Sequence, residues 1–307
     1  AIAASLTADP VASEMVLSVA DRVPARHVED FGASLTLAAL ASYIGSLARA
    51  QWRVGRNAQH KYFDILVRAL TTCRDAPAIA AEFTSFVDAY GVELDQHRLV
   101  EEYTRVERSG TSCESFVLAL GALSDPGDLE VLCALVSGGA KPEIRRNAAT
   151  AVGRFCVRAD RLGAAQELAA VRALTLGLTD HAVDNRGDVG SWVREQCLRS
   201  LASVFEAGSL VLARLGAADN DLAMRLLGLV LRSTTEKIDK LRAAAGRLLE
   251  LILGDGAAAE ADPQLGECIS QLARLAHTDL SDTRYVEWRW RAAGLARNDR
   301  PPRGASM

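Results

Sequence analysis

The chain has 307 residues, 49% of them hydrophobic and only 5% aromatic, with a formal net charge of −4 and a pI near 5.8. That is ample material for a core, and the acidic balance excludes a chain-wide basic surface for nucleic-acid backbones. No run reaches the ~18 uninterrupted apolar residues of a membrane helix, so neither nucleic acid nor membrane is expected as a partner.

Ala and Leu dominate the apolar set, which favours helices packed on helices. The start, Ala1-Ile2-Ala3, has neither Met nor a basic leader and reads as an internal segment of a longer protein. The first clear helix is Glu29–Arg49, where Phe31, Leu35, Leu37, Leu40, Ile44 and Leu47 form one apolar stripe. Lys61–Thr72, Pro77–Tyr90 and Asp95–Glu107 follow, with Gly91 placed to stop the third of these four. Glu114–Leu123 is broken by Ser124-Asp125-Pro126-Gly127, and Asp128–Val136 by Ser137-Gly138-Gly139. Pro142–Val157 opens on Pro and Glu, good chemistry for a helix N-terminus. Further helices are predicted at Ala164–Leu178, Val189–Phe205, Asn220–Arg232, Thr235–Leu253, Pro263–Ala276 and Ser281–Leu295. No alternating strand pattern with a hairpin turn is visible. The expected fold is all-α, an α-solenoid of HEAT/armadillo-type repeats running continuously over residues 1–297, with 298–307 a disordered tail.

An internal repeat sharpens that expectation. Ile144-Arg145 is followed by Ala148, Ala151 and Val152; Val193-Arg194 by Cys197, Ser200 and Leu201; Leu241-Arg242 by Ala245, Leu248 and Leu249. The apolar–Arg pairs stand 49 and 48 residues apart, slightly longer than the ~40–47 residues of HEAT and armadillo units. Offsets of 0, +4, +7 and +8 share one helix face, and a small residue at +4 lets a neighbouring helix approach closely.

Chemical motifs are scarce. Six cysteines (Cys73, Cys113, Cys133, Cys156, Cys197, Cys268) form no CxxC and read as reduced, mostly buried thiols of a cytoplasmic protein. Five histidines (His27, His60, His97, His181, His277) are scattered, and none has a partner histidine at i+4. Phosphate-loop, dinucleotide and nucleophile-elbow patterns are absent. No enzyme, metal or cofactor is therefore expected, only a binding scaffold.

The stretch Asp184-Asn185-Arg186-Gly187-Asp188-Val189-Gly190-Ser191-Trp192-Val193-Arg194-Glu195 is distinctive. It resembles the signature segment of the tubulin-folding cofactor D family, HEAT-repeat tubulin chaperones. Ser115–Leu123, Glu236–Arg242, and Ser281-Asp282 with Val286 and Trp288 resemble three further segments of that family, in the same order; beyond Trp288 the chain departs from the pattern. The resemblance implies a cytoplasmic chaperone that binds β-tubulin and the α/β-tubulin heterodimer. It also implies work with other tubulin cofactors and an Arf-like small GTPase, and GTPase activation of tubulin only within such a complex. The alternative is an unrelated HEAT adaptor of transport or phosphatase-scaffold type.

Asp184, Arg186, Asp188, Trp192 and Arg194, with Lys237, Asp239 and Arg242, are the candidate partner-binding residues. Asp184–Ser191 is a polar, Gly-containing loop able to present side chains, and equally an inter-helix turn in which Asp188 caps the next helix. Trp192 is either an anchor or a residue packed under that loop. Arg145, Arg194 and Arg242 lie near Glu143, Asp188 and Asp239 and could form an inter-repeat ladder. Exposed pairs of that kind contribute only ~0–1 kcal/mol each. Tyr285, Trp288 and Trp290 with Arg289 and Arg291 form an aromatic–basic run, read as core packing with the Arg heads in solvent.

Overall fold

The computed structural model describes residues 31–51, 54–73, 76–90, 96–108, 114–122, 126–158, 162–207 and 212–254. The helices expected at Pro263–Ala276 and Ser281–Leu295, the aromatic–basic run and the tail lie outside the described residues.

Within them the chain is helical almost throughout. The elements are α1 (Phe31–Arg49), α2 (Arg56–Thr72), α3 (Ala76–Tyr90), α4 (Gln96–Arg108), α5 (Glu114–Leu120), α6 (Pro126–Ser137), α7 (Pro142–Arg158) and α8 (Ala164–Gly177). A two-stranded antiparallel hairpin, β1 (Val183–Asp184) and β2 (Gly187–Asp188), follows. Then come α9 (Gly190–Glu206), α10 (Leu212–Ala218), α11 (Asn220–Ser233) and α12 (Asp239–Gly254).

Three differences from the sequence reading have local causes. Helix α2 gains a polar first turn from Arg56, with Gln59 donating back to the Val54 carbonyl at 2.9 Å. Helix α12 begins at Asp239 rather than Thr235 because Arg242 donates to the carbonyls of Glu236 and Lys237, at 3.0 and 2.9 Å, and holds that stretch out of the helix. The hairpin escaped notice because strands of two residues are too short to alternate.

The chain divides between Leu132 and Cys133 into two compact units. In the first, α3 packs on α1 and α5, and α2 lies against all three. Phe63 and Phe83 meet with ring centroids 5.8 Å apart, and Tyr62, Phe83, Phe86 and Phe116 are fully buried.

In the second unit, α9 lies between α7 and α12, while α8 packs on α7, α9 and α11, and α11 on α12. The long helices therefore alternate between two rows: α7, α9 and α12 in one, α8 and α11 in the other. All twelve repeated positions face inward, with exposures between 0 and 7%. Helices α7 and α9 approach so closely that a Cβ on Gly153 would stand 2.6 Å from Ser200 Cβ. The Ser200 hydroxyl, buried there, donates to the Ala149 carbonyl at 2.8 Å, so this polar side chain in the seam is satisfied. No helix of the described residues is long and apolar enough to cross a membrane.

Candidate partner-binding site

After α8 ends, the chain must reverse and enter α9 in the other row. Asp180 begins the reversal by accepting from the Ala182 N–H at 3.0 Å. Val183 then pairs with Asp188, and Asp184 with Gly187. Asn185 and Arg186 make the turn, tightened by Asp184, whose Oδ1 accepts from the Arg186 N–H at 2.7 Å. Gly187 follows with φ of +100°, a conformation that disfavours any side chain. The stem closes where the Gly190 N–H donates to the Ala182 carbonyl at 2.9 Å. A Cβ on Gly190 would sit 2.5 Å from the Asp180 carbonyl oxygen, so the backbone itself occupies that space.

Helix α9 is capped from one residue further back than its flanking Val189. Asp188 Oδ1 accepts from the Ser191 N–H at 3.0 Å, and the Ser191 hydroxyl returns a bond to the Asp188 carbonyl at 2.5 Å. This is N-terminal capping by a carboxylate, favoured also by the helix dipole.

Two arginines fasten the hairpin. Arg194, on the first turn of α9, is only 2% exposed. Its Nη2 lies 3.0 Å from Asp188 Oδ2 and 3.6 Å from Glu236 Oε1, and its Nη1 donates to the Asp180 carbonyl at 2.6 Å. Arg186, at the tip, donates to Asp184 Oδ2 from Nε at 3.0 Å and from Nη2 at 2.7 Å, and to Glu143 from Nη1. Its guanidinium also lies 4.9 Å from the ring centroid of half-buried Trp192. Trp192 is therefore packed beneath Arg186.

The first unexpected residue is Asp180. Its Oδ2 accepts from Arg145 Nε at 2.7 Å in a nearly buried pair. Glu143, which lies beside Arg145 in sequence, turns instead to Arg186. Asp239 pairs with Arg242 as sequence proximity suggests. The result is one continuous chain of contacts, from Arg145 to Asp180 to Arg194 to Glu236, with Arg242 on the Glu236 carbonyl. It joins the starts of α7, α9 and α12, and Arg194 at its centre is buried where the sequence suggested exposed pairs. Asp180 carries no helical-period signal; only its place in a polar break after α8 marks it.

The candidate residues thus fall into two groups bridged by Arg194 and Glu236. Asp184, Arg186, Asp188, Trp192 and Arg194 share the hairpin and the start of α9, and Lys237, Asp239 and Arg242 the start of α12. Lys237 is exposed, and Asp239 has 87% of its side chain exposed.

The carboxylates respond to these cations. The Arg186 side chain, then its backbone N–H, hold Asp184 below the ordinary aspartate value. For Glu143 and Asp188 partial burial pushes upward, but the bonds they accept and the nearby cations, chiefly Arg186 and Arg194 respectively, together outweigh it, and both lie below their ordinary values. Arg186 is raised by the bonds it donates to Asp184 and Glu143. Burial pushes the Cys156 thiol up to about 12, and Cys197 higher still, which removes both as nucleophiles at neutral pH. Among the described residues no group of three or more His, Cys, Asp or Glu is placed to hold a metal ion. The arrangement presents an exposed turn braced by ion pairs and hydrogen bonds at its base. No known protein-family model matches the chain.

Proposed function

We propose that this chain is a length of HEAT-type α-solenoid that works as a cytoplasmic tubulin-binding chaperone scaffold. In this reading it contacts β-tubulin within the α/β heterodimer. It acts in joining or separating the two subunits together with other tubulin cofactors and an Arf-like small GTPase. Any effect on tubulin's GTPase arises through that complex.

The observation that carries the reading is the form of the segment resembling cofactor D. The Asp184–Glu195 stretch runs from a hairpin, whose residues 183–188 are all exposed, into the start of α9, where buried Arg194 fixes the hairpin's base. A mobile loop would pay an ordering entropy on binding that a pre-set hairpin avoids. The alternation of helices between two rows, with the 49- and 48-residue repeat facing inward, supports the solenoid.

The test is direct binding of purified α/β-tubulin to the immobilised 307-residue chain. It is compared with a variant in which residues 183–188 are replaced by a Gly/Ser turn. The expected result is saturable binding, weakened at least ~10-fold in the variant, or ~1.4 kcal/mol, with helical content unchanged. An Asp188→Ala/Arg194→Ala variant is expected to lose binding too, but it also removes buried contacts, so the turn replacement is the cleaner comparison. Absence of tubulin binding by the unaltered chain refutes the reading.

A further inference from the structure

The internal repeat does not end with α12. Trp288-Arg289 stands 47 residues beyond Leu241-Arg242 and is followed by Ala292, Leu295 and Ala296, at the same offsets of +4, +7 and +8. These residues lie outside those described, so the register is a property of the sequence. The structure supplies the surface on which a further helix of that register can seat.

In α7 the positions that meet the next helix of the row are Ala149 and Gly153, at +5 and +9 after Ile144. Both touch Ser200, at +7 after Val193: its hydroxyl bonds the Ala149 carbonyl at 2.8 Å, and a Cβ on Gly153 would stand 2.6 Å from its Cβ. In α9 the +5 and +9 positions are Leu198 and Ala202, buried at 0 and 7% exposure in the helix that α12 packs on. In α12 they are Gly246 and Glu250, and there the burial stops. No atom among the described residues stands within 4 Å of a Cβ built on Gly246, and Glu250 and Ala243 are exposed. The arginines show the same break. Arg145 reaches Asp180 and Arg194 reaches Glu236, carboxylates 35 and 42 residues ahead, and their side chains are 12 and 3% exposed. Among the described residues Arg242 meets only Asp239 of its own helix and the Glu236 and Lys237 carbonyls, and 30% of its side chain is exposed. Asp282 stands 40 residues beyond it.

We infer that the open face of α12 is the seat of this chain's own residues 284–297, a fourth helix of the row that holds α7, α9 and α12. Trp288, Ala292 and Leu295 turn onto α12, and Leu295 lies opposite Glu250 as Ser200 lies opposite Gly153. Trp290, at +2, takes the outward position that Arg146, Glu195 and Ala243 hold in the three helices before it. Asp282 precedes Arg289 by seven residues, much as Glu236 precedes Arg242 by six, and supplies the forward carboxylate to Arg242. The stretch Pro263–Ala276, predicted helical from its sequence, intervenes as α8 and α11 do between the earlier members of the row. On this arrangement Arg242 is a positioning residue of the ladder, and the face of α12 beside it is filled from within the chain. That holds whatever partner the hairpin meets, so it does not depend on the tubulin reading.

The experiment places cysteine pairs in the full 307-residue chain: Glu250→Cys with Leu295→Cys, and, as control, Glu250→Cys with Ala293→Cys on the opposite side of the same helical register. Mild oxidation and peptide mapping then show which pair closes within one chain. The Leu295 pair is expected to give at least about tenfold more intrachain disulfide than the Ala293 pair. Hydrogen exchange of the 239–254 peptide gives a second reading. Trp288→Ala is expected to speed it about tenfold or more, and Trp290→Ala to leave it within about twofold. The crosslink keeps Trp288, so it decides the matter even where Trp288→Ala unfolds the unit. The inference is overturned if the Ala293 pair closes as readily as the Leu295 pair, or if the disulfide forms only between two chains. It is overturned equally if Trp290→Ala loosens α12 as much as Trp288→Ala does.

Discussion

Arg194→Ala tests the buried ladder most sharply. The substitution removes the cation that faces Asp188 at 3.0 Å and Glu236 at 3.6 Å, and the donor to the Asp180 carbonyl at 2.6 Å. Losing a buried donor from that carbonyl costs about 1–3 kcal/mol. Breaking a wholly buried ion pair would cost several kcal/mol more. Here, though, the Asp188 side chain is 38% exposed and that of Glu236 26%, so both rehydrate, and about 1 kcal/mol is the appropriate figure. The arginine stem, packed at the start of α9, adds about 1 kcal/mol of apolar burial. The expected loss is therefore about 3–5 kcal/mol. For a unit of this size that corresponds to a fall of roughly 10 °C in melting midpoint. Arg194→Lys keeps the charge but loses the two-nitrogen fork, and is expected to cost about half as much. Arg247→Ala is the control, since that arginine is 63% exposed and its partner Glu206 41%; it should change stability by less than about 0.5 kcal/mol. The assay is hydrogen exchange of α9 and α12 peptides against urea, because the two compact units need not unfold together. If Arg194→Ala costs no more than Arg247→Ala, the ladder contributes nothing and the reasoning fails.

Three other outcomes follow from the same geometry. Gly153→Ala drives a methyl to 2.6 Å from Ser200 Cβ and should destabilise the α7–α9 seam by about 1–3 kcal/mol despite alanine's better helix propensity; adding Ser200→Gly should recover most of that, and an unchanged urea midpoint for the single variant would count against the close approach. Asp184, Asp188, Glu143 and Asp219, the last capping α11 by accepting from the Leu222 N–H and from Arg172, are all held below their ordinary values, so the unfolded chain binds more protons than the folded one in that range. Their contribution is complete above the ordinary carboxyl value near ~4 and is lost as pH falls through the lower folded values; urea midpoints measured from pH 7 to 3 should decline at the acid end, and a flat or rising profile would contradict the pairing. Cys156 and Cys197, buried with raised thiols, should react with a thiol reagent at pH 8 only after denaturant is added, whereas prompt labelling of both would show that the α7–α9 core opens readily.

Much of the fold was legible in the chain because helix period and burial are local properties. Ile144, Val193 and Leu241, with their partners at +4, +7 and +8, were recognisable as one helical face, and all are inward in the structure. The breaks were legible for a similar reason: Pro restricts the backbone and Gly loosens it wherever they occur, so Pro142 opens α7 and Gly138-Gly139 follows α6. The helix Leu212–Ala218 was missed because seven residues with an internal glycine, Gly216, are too few to show a period.

The site was legible in composition but not in connection. Asp188 with Arg194, and Asp239 with Arg242, could be paired from nearness in sequence, since each pair spans about one or two helical turns. Glu143 and Asp180 could not be placed that way, because their partners are 43 and 35 residues distant. Which carboxylate meets which guanidinium depends on where α7, α9 and α12 bring their first turns, and only the packing of the helices decides that. The same packing sets the burial of Arg194 and leaves Val183 exposed, reversing what residue type alone suggests. Local sequence sets which helices form and which face each hides. Exposure and charge pairing between distant turns follow from the way those faces are stacked.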